Sequence, residues 1–319
     1  MNAWSPASPC TTTRCLGPDA GGASPREVLR RYAAFAATVA GVLARPGRLD
    51  TDPVRLSAAA RAVLAALAVT LDAPEPLPEP RAADAPGTLI VANHVSWLDV
   101  VALLAVAPAP LLAKREVGDW PVVGPLARRA GTRFIDRDGL RRLPRTVADV
   151  TDHLRTGAPL VVFPQGTTWC SAPGGAFRRA TFEAALRAGA PVRPVALVYT
   201  RDGRPTTAPA FVGDDAFLPS LHRVARTEGL TVHVRTGPLL AAPPPGPAPQ
   251  RRRALAAAAR QAVAEAAGRV PVRSGAAGAA VPTGPAAAVV PVRRPVPGTA
   301  PGLVRAARAG GPERGVRGV

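Results

Sequence analysis

Four short apolar runs, at residues 88–92, 160–163, 192–199 and 230–235, constrain the fold of this chain more than any other feature. Each is too short for a stable helix. In 88–92 and 160–163 the apolar side chains follow one another almost without a break, which is the pattern of strands covered on both faces. Between them lie segments with helical periodicity: 97–107, which Pro108 stops, then 122–130, 145–155 and 178–188. Shorter strands are expected at 111–113 and 133–135. Strand and helix in alternation predict an α/β fold with a central mixed, mostly parallel sheet flanked by helices.

The chain has 319 residues, and its outer parts differ in composition from this core. Residues 1–25 are rich in Ser, Pro, Gly and Thr, and 269–319 are Ala, Pro, Gly, Val and Arg without a steady period. Both read as disordered tails. Residues 26–72 read as an N-terminal helical hairpin lying at a membrane interface. Within it, the mostly apolar stretch 32–44 would reach only about 20 Å as a helix, short of a hydrocarbon core of about 30 Å. A second stretch, 57–71, is rich in Ala, Leu and Val. Arg30, Arg31, Arg45, Arg48, Arg55 and Arg61 flank the pair, a charge pattern that suits an anionic leaflet. The alternative is a hairpin packed on the protein's own core. Residues 73–86 carry five prolines and read as a linker. The main domain is then expected at 87–240, with a further helix at 249–268.

A net charge of +18 suggests a phosphate-bearing partner. The tail after residue 268 holds eight of the arginines and one acidic residue, so much of the excess lies outside the fold. Aromatic residues make up only 4% of the chain, leaving few platforms for stacking bases. Nucleic acid is therefore not expected as a partner, and an anionic membrane surface is. Among forty basic residues only Lys114 is a lysine. Three cysteines are too few for a disulfide framework, which points to a reducing compartment. Cys10 and Cys15 form a C-x4-C pair with no second ligand pair near it in sequence, so no metal site is expected. The opening Met-Asn-Ala-Trp-Ser-Pro lacks the basic and apolar regions of a secretory signal.

His94 follows the first strand at its carboxyl end, where open α/β sheets place their ligands. Asp99 lies five residues on, about 140° round a helix, so the two side chains could not meet on one helix face. They can meet if the helix begins after His94. Ser96-Trp97-Leu98-Asp99 fits a capping box, with Ser96 at the N-cap and Asp99 reaching back. Alone, H-x4-D spacing is common by chance, and Asp99 could simply cap the helix.

The surrounding blocks decide between these readings. Asn-His-Val-Ser-Trp-Leu-Asp (93–99) resembles the first motif of the glycerolipid acyltransferase family that includes 1-acylglycerol-3-phosphate acyltransferases. Lys114-Arg115-Glu116 and Trp120-Pro121-Val122-Val123-Gly124 are similar to the family's Lys-x-Glu and Pro-x-x-Gly stretches. Residues 131–137, Gly-Thr-Arg-Phe-Ile-Asp-Arg, resemble its second motif. Phe163-Pro164-Gln165-Gly166-Thr167-Thr168 resembles its third, and 190–195 its fourth. Several blocks in family order are far more specific than any one of them.

The resemblance implies acyl transfer from acyl-CoA or acyl-carrier protein to the hydroxyl of 1-acylglycerol-3-phosphate, with another lysolipid such as lyso-ornithine lipid as the alternative acceptor, or a weakened lipid-binding relative. His94 would be the general base and Asp99 its orienting partner. Arg137 would clamp the phosphate, with Lys114, Gln165, Gly166 and Thr167 completing the substrate site. No resident cofactor or metal is implied; the acyl donor is a co-substrate. The expected location is the cytoplasmic face of the cell membrane, peripheral or shallowly inserted. One departure stands out: family members commonly have Glu where this chain has Gln165, and many have Arg where it has Thr168. The substitution removes a charge and adds a donor, which predicts changed acceptor choice or rate, or else a hydrogen bond that suffices without the charge.

Overall fold

A computed structural model describes residues 7–17, 22–75, 77, 84–135 and 143–273. A four-residue helix, α1 (Thr12–Cys15), is followed by α2 (Pro25–Ala44) and α3 (Pro53–Ala66). Both longer helices start on a capping side chain with proline in the first turn: Ser24 accepts from the Glu27 N–H, and Asp52 from the Arg55 N–H. Then come β1 (Thr70–Asp72), β2 (Leu89–Ala92), α4 (Leu98–Val106), β3 (Leu112–Lys114), a 3-10 turn at Arg115–Asp119, α5 (Val123–Arg129) and β4 (Arg133–Ile135). The chain continues through α6 (Leu143–Arg155), β5 (Leu160–Val162), α7 (Ala180–Ala188), β6 (Val192–Arg201), β7 (Arg204–Pro205), α8 (Phe217–Arg226), β8 (Leu230–Thr236) and α9 (Ala248–Gly268).

The main sheet has the order β1-β8-β6-β2-β5, with β7 paired to β6. β2 runs parallel to β5 and β6, β1 runs parallel to β8, and β6 is antiparallel to β8 and β7. β3 and β4 form a parallel two-stranded sheet, and a parallel bridge from Leu111 to Val161 sets it beside β5. The carboxyl ends of β2, β3, β4, β5 and β6 therefore open on one edge. The expected mixed, mostly parallel sheet flanked by helices is what forms.

Two apolar layers explain the unbroken apolar runs. Ile90 and Ala92 of β2 face one layer with Leu64, Leu98, Leu103, Leu197 and Val224. Leu89 and Val91, pointing the opposite way, meet Leu154, Leu160, Phe182, Ala259 and Val263. A strand covered on both faces has no position left for a polar side chain.

Four boundaries differ from expectation. The hairpin's second helix does not run to residue 71: Ala68 takes a left-handed conformation (φ 55°), and the next residues form β1, which pairs with β8. Residues 26–72 are thus stitched into the main sheet. The N-terminal segment was expected to be disordered through residue 25, yet 7–17 and 22–25 are placed, with Cys10 and Cys15 buried in the core. At the other end, Val270 is buried and the Arg273 N–H donates to Gly203 O, so order continues past 269; residues 274–319 lie outside the described residues. Part of the proline-rich stretch is also held, since Glu75 accepts from the backbone N–H and hydroxyl of Thr236 and Leu77 is buried.

The hairpin packs on the protein's own core through one face. Leu56, Ala60 and Leu64 of α3 are buried, and Ser57 donates to Ala105 O of α4. Arg31, counted above among cations for a membrane surface, is instead buried and donates to Ala225 O and Thr227 O at the end of α8, where a helix presents unpaired carbonyls. The opposite face of α2 leaves Leu29 and Leu43 exposed. Among the described residues no helix is long and apolar enough to cross a membrane.

Candidate active site

β2 ends at Ala92, and the next residue locks the turn that follows. Asn93 is fully buried; its side chain donates to Leu197 O and accepts from the Leu197 N–H, so it pairs with β6 as a strand residue would. His94 then projects beyond the sheet edge. Its Nδ1 lies 2.8 Å from Asp99 Oδ2. The same carboxylate oxygen accepts from the N–H groups of Val95 at 2.5 Å and Ser96 at 2.8 Å, while Oδ1 accepts from the Tyr199 hydroxyl at 2.7 Å. Asp99 is fully buried, so these donors replace the water a carboxylate would otherwise need.

The capping box expected here, with Ser96 at the N-cap, does not form: α4 starts at Leu98 with Trp97 at its N-cap and no side-chain cap bond, so only the reach back of Asp99 is kept. Asp99 reaches back to the Ser96 N–H, but the Ser96 hydroxyl accepts from Leu98 N–H, and its carbonyl accepts from the Asp99 N–H. Those two helical N–H groups are therefore spent within the turn. The helix begins after His94, which is what lets the pair meet.

The imidazole stacks on Phe163, with ring centroids 4.0 Å apart and planes 16° apart. With an acceptor carboxylate at Nδ1, the proton sits on that nitrogen and Nε2 carries the lone pair. Nε2 has no hydrogen-bond partner among the described residues, and the His94 side chain is 21% exposed. A buried anion on one side and an accessible basic nitrogen on the other is the arrangement of a general base.

Gln165 lies beneath this turn. Its Oε1 accepts from the His94 N–H at 2.7 Å, its Nε2 donates to Pro173 O at 2.6 Å, and it is 4% exposed. Both polar ends are taken by backbone, so Gln165 acts as a strut for His94 rather than a surface for substrate. A Cβ on Gly174 would sit 2.2 Å from Gln165 Nε2, which leaves only glycine room there. Trp169 completes the support, its backbone N–H donating to His94 O. Gly166 turns the chain with a positive φ of 76°, and its N–H goes to Phe163 O; Thr167 is half-buried beside it.

Lys114 ends β3 on the same sheet edge, exposed and paired with Glu116 at 3.4 Å. With strands about 4.8 Å apart, β3 stands roughly 10 Å from β2, so the structure does not bring Lys114 together with His94. Arg137 lies outside the described residues. The structure thus joins His94, Asp99, Gln165 and the Gly166–Thr167 turn.

Tyr199 and Phe163 were not singled out from sequence, although both fall within expected strands. Tyr199 is one of two tyrosines in the chain, and a phenol on a strand buried on both faces must find a hydrogen-bond acceptor. Burial, and then the adjacent Asp99 carboxylate, hold its phenol well above the ordinary value, so it remains a donor. Trp97 anchors the site helix outward: its Nε1 donates to Ser220, and its ring meets Phe35 of α2 and Phe217 of α8.

Comparisons with known proteins bear on the family and the fold. The family model described as Acyltransferase matches residues 68–198. A lyso-ornithine lipid O-acyltransferase from Pseudomonas aeruginosa is 43% identical over 148 residues, 46% of this chain and 57% of that protein. A 1-acyl-sn-glycerol-3-phosphate acyltransferase from Neisseria meningitidis is 38% identical over 176 residues, 54% of this chain and 67% of that protein. The crystal structure of the 1-acyl-sn-glycerophosphate acyltransferase PlsC from Thermotoga maritima superposes with a TM-score of 0.53 at 18% identity, covering 79% of this chain and 97% of that one, which establishes the shared fold. The aligned regions span about three fifths to two thirds of these two sequence relatives, and the family-model match includes the His94–Asp99 turn: this chain belongs to the acyltransferase family.

Proposed function

We propose that this acyltransferase moves a fatty acyl group from the thioester of acyl-CoA or acyl-carrier protein to the free hydroxyl of 1-acylglycerol-3-phosphate, giving phosphatidate. The observation that carries the proposal is the unpartnered Nε2 of an imidazole whose Nδ1 is held by the buried Asp99. His94 Nε2 takes the hydroxyl proton as the acceptor oxygen attacks the thioester carbonyl. The C–O bond forms, the C–S bond breaks, and the proton passes to the departing thiolate. Asp99 fixes the tautomer and stabilises the imidazolium, and the face of Phe163, stacked on the ring, favours that positive charge as it forms. The acceptor hydroxyl is the nucleophile, so no covalent acyl-enzyme is required.

Arg137 and Lys114 are assigned to the acceptor phosphate. Lys114 ends a parallel strand on the sheet edge that carries His94, and guanidinium and ammonium groups are the usual phosphate partners. The outward face of α2, with Leu29 and Leu43 exposed, is assigned to shallow contact with the cytoplasmic leaflet, with the exposed Arg45 and Arg61 toward its anionic headgroups. A second reading, acylation of a lyso-ornithine lipid, is favoured by the 43% identity to the Pseudomonas protein.

The purified full chain, given labelled acyl-CoA with each acceptor, tests both readings. Transfer to 1-acylglycerol-3-phosphate that disappears in His94→Ala is the expected result. Transfer to lyso-ornithine lipid alone would replace the acceptor, and undiminished turnover in His94→Ala would remove the base.

A further inference from the structure

Cys10, Cys15 and Cys170 take no part in the chemistry above, yet the fold gathers them. Their sulfur atoms all lie within 4.8 Å of one another, and Cys10 Sγ and Cys170 Sγ are 3.5 Å apart. The two come from positions 160 residues apart in sequence. All three side chains are buried thiols. The Cys170 N–H points at Cys10 Sγ at 3.4 Å.

All three side chains belong to one apolar cluster of the core. Within residues 7–17 the two cysteines are the only buried residues, and the segment's regular structure is the single turn of α1. Thiols are weak donors and weak acceptors, so three facing one another contribute little as hydrogen bonds. As thiolates they form the donor set of a thiophilic cation. Tetrahedral Zn2+ with bonds of about 2.3 Å places its sulfurs about 3.8 Å apart, close to the observed pair. A disulfide would need about 2.05 Å and would leave one of the three sulfurs unused.

We propose that Cys10, Cys15 and Cys170 bind one Zn2+ as three thiolates, a structural site that staples residues 7–17 to the loop behind His94. No fourth His, Cys, Asp or Glu among the described residues joins the group, so a water completes the coordination. The backbone N–H of Cys170 is aimed to stabilise a thiolate at Cys10. Cys170 follows Trp169, whose backbone N–H holds His94 O, so the metal would brace the support of the base from one residue away. The C-x4-C spacing had suggested no metal because its partner is far away in sequence; the fold supplies that partner.

Metal content and metal titration of the full chain test the proposal without reference to turnover. The expected result is about one equivalent of Zn2+ retained through dialysis, and release of up to three protons when Zn2+ is added back to the chelator-treated protein. Co2+ in its place should give a thiolate-to-metal charge-transfer band. Cys15→Ser and Cys170→Ser should each weaken Zn2+ binding at least about 100-fold, beyond the cost of losing an outer-shell contact. Hydrogen exchange at residues 7–17 should quicken when the metal is removed. If a variant fails to fold, the Co2+ titration of the unaltered protein decides alone. Three reactive thiols with no metal and no charge-transfer band would overturn the proposal, as would a Cys10–Cys170 disulfide found by mass mapping.

Discussion

Among the described residues, two histidine–aspartate pairs are nearly the same as pairs and opposite in setting. His94 meets Asp99 at 2.8 Å and His233 meets Asp72 at 2.7 Å, each through Nδ1. In the second pair Nε2 is also taken, by the Thr200 hydroxyl at 2.8 Å, and both His233 and Thr200 are buried. His233 sits within β8, between β1 and β6, and Arg235 also reaches Asp72, at 2.5 Å. That pair sews an edge strand to the sheet. His94 sits just past a strand end, stacked on Phe163 but with its Nε2 unpartnered among the described residues. A histidine held by a carboxylate is a base only where its second nitrogen faces open space, and strand-end position provides that space.

The sharpest way to break the comparison is to remove each imidazole in turn. His94→Ala should lower turnover roughly 10²- to 10⁴-fold, the range of general-base catalysis, in a protein that stays folded because the Val95 and Ser96 N–H groups and the Tyr199 hydroxyl still hold Asp99. His233→Ala should do the reverse. It leaves the buried Thr200 hydroxyl and the Asp72 carboxylate short of a partner, a stability loss of about 1–3 kcal/mol, with activity per folded molecule unchanged. Steady-state kinetics beside urea denaturation separates the two outcomes. Loss of turnover on folded His233→Ala would mean that the two pairs are not functionally distinct.

Tyr199→Phe sharpens the first pair alone. It removes one donor from a fully buried carboxylate but leaves the His94 contact in place, so kcat should fall about 10-fold with KM little changed. A fall in KM with constant kcat would place Tyr199 elsewhere in the mechanism. Gln165→Glu comes next in size. The new carboxylate would face Pro173 O, which needs a donor, so stability should drop by about 1–3 kcal/mol without a switch in acceptor. A change of acceptor at unchanged stability would return this position to the substrate site.

That last case shows where the sequence was legible and where it was not. The strands at 88–92, 160–163, 192–199 and 230–235 and the turn that unites His94 with Asp99 follow from local pattern, because burial on two faces and a helix cap are short-range properties. The role of Gln165 depends on Pro173 and on the His94 backbone, 71 residues away, and no local pattern carries that. The same holds for Tyr199, one hundred residues from Asp99, and for Cys170, which meets Cys10 only after folding. The end of the second hairpin helix was misplaced because Ala, Leu and Val suit a helix, whereas pairing with β8 draws residues 70–72 into the sheet.

The smallest expected effect concerns acid stability and rests on the structural pair. The Arg235 guanidinium, working against burial and aided by His233, holds the Asp72 carboxyl below its ordinary value. The folded protein then binds this proton more weakly than the unfolded chain, so the contribution is complete above the ordinary carboxyl value, near 4, and fades as pH falls through the lower folded value. The Asp72 side chain is 37% exposed, so solvent screens much of the interaction and the shift in melting temperature should be modest. Asp72→Asn should flatten the melting-temperature profile below about pH 4 and leave turnover at neutral pH unaltered. An unchanged acid limb would mean that Arg235 and His233 are held by the strand register alone, and that the second pair is a consequence of β1 pairing rather than its support.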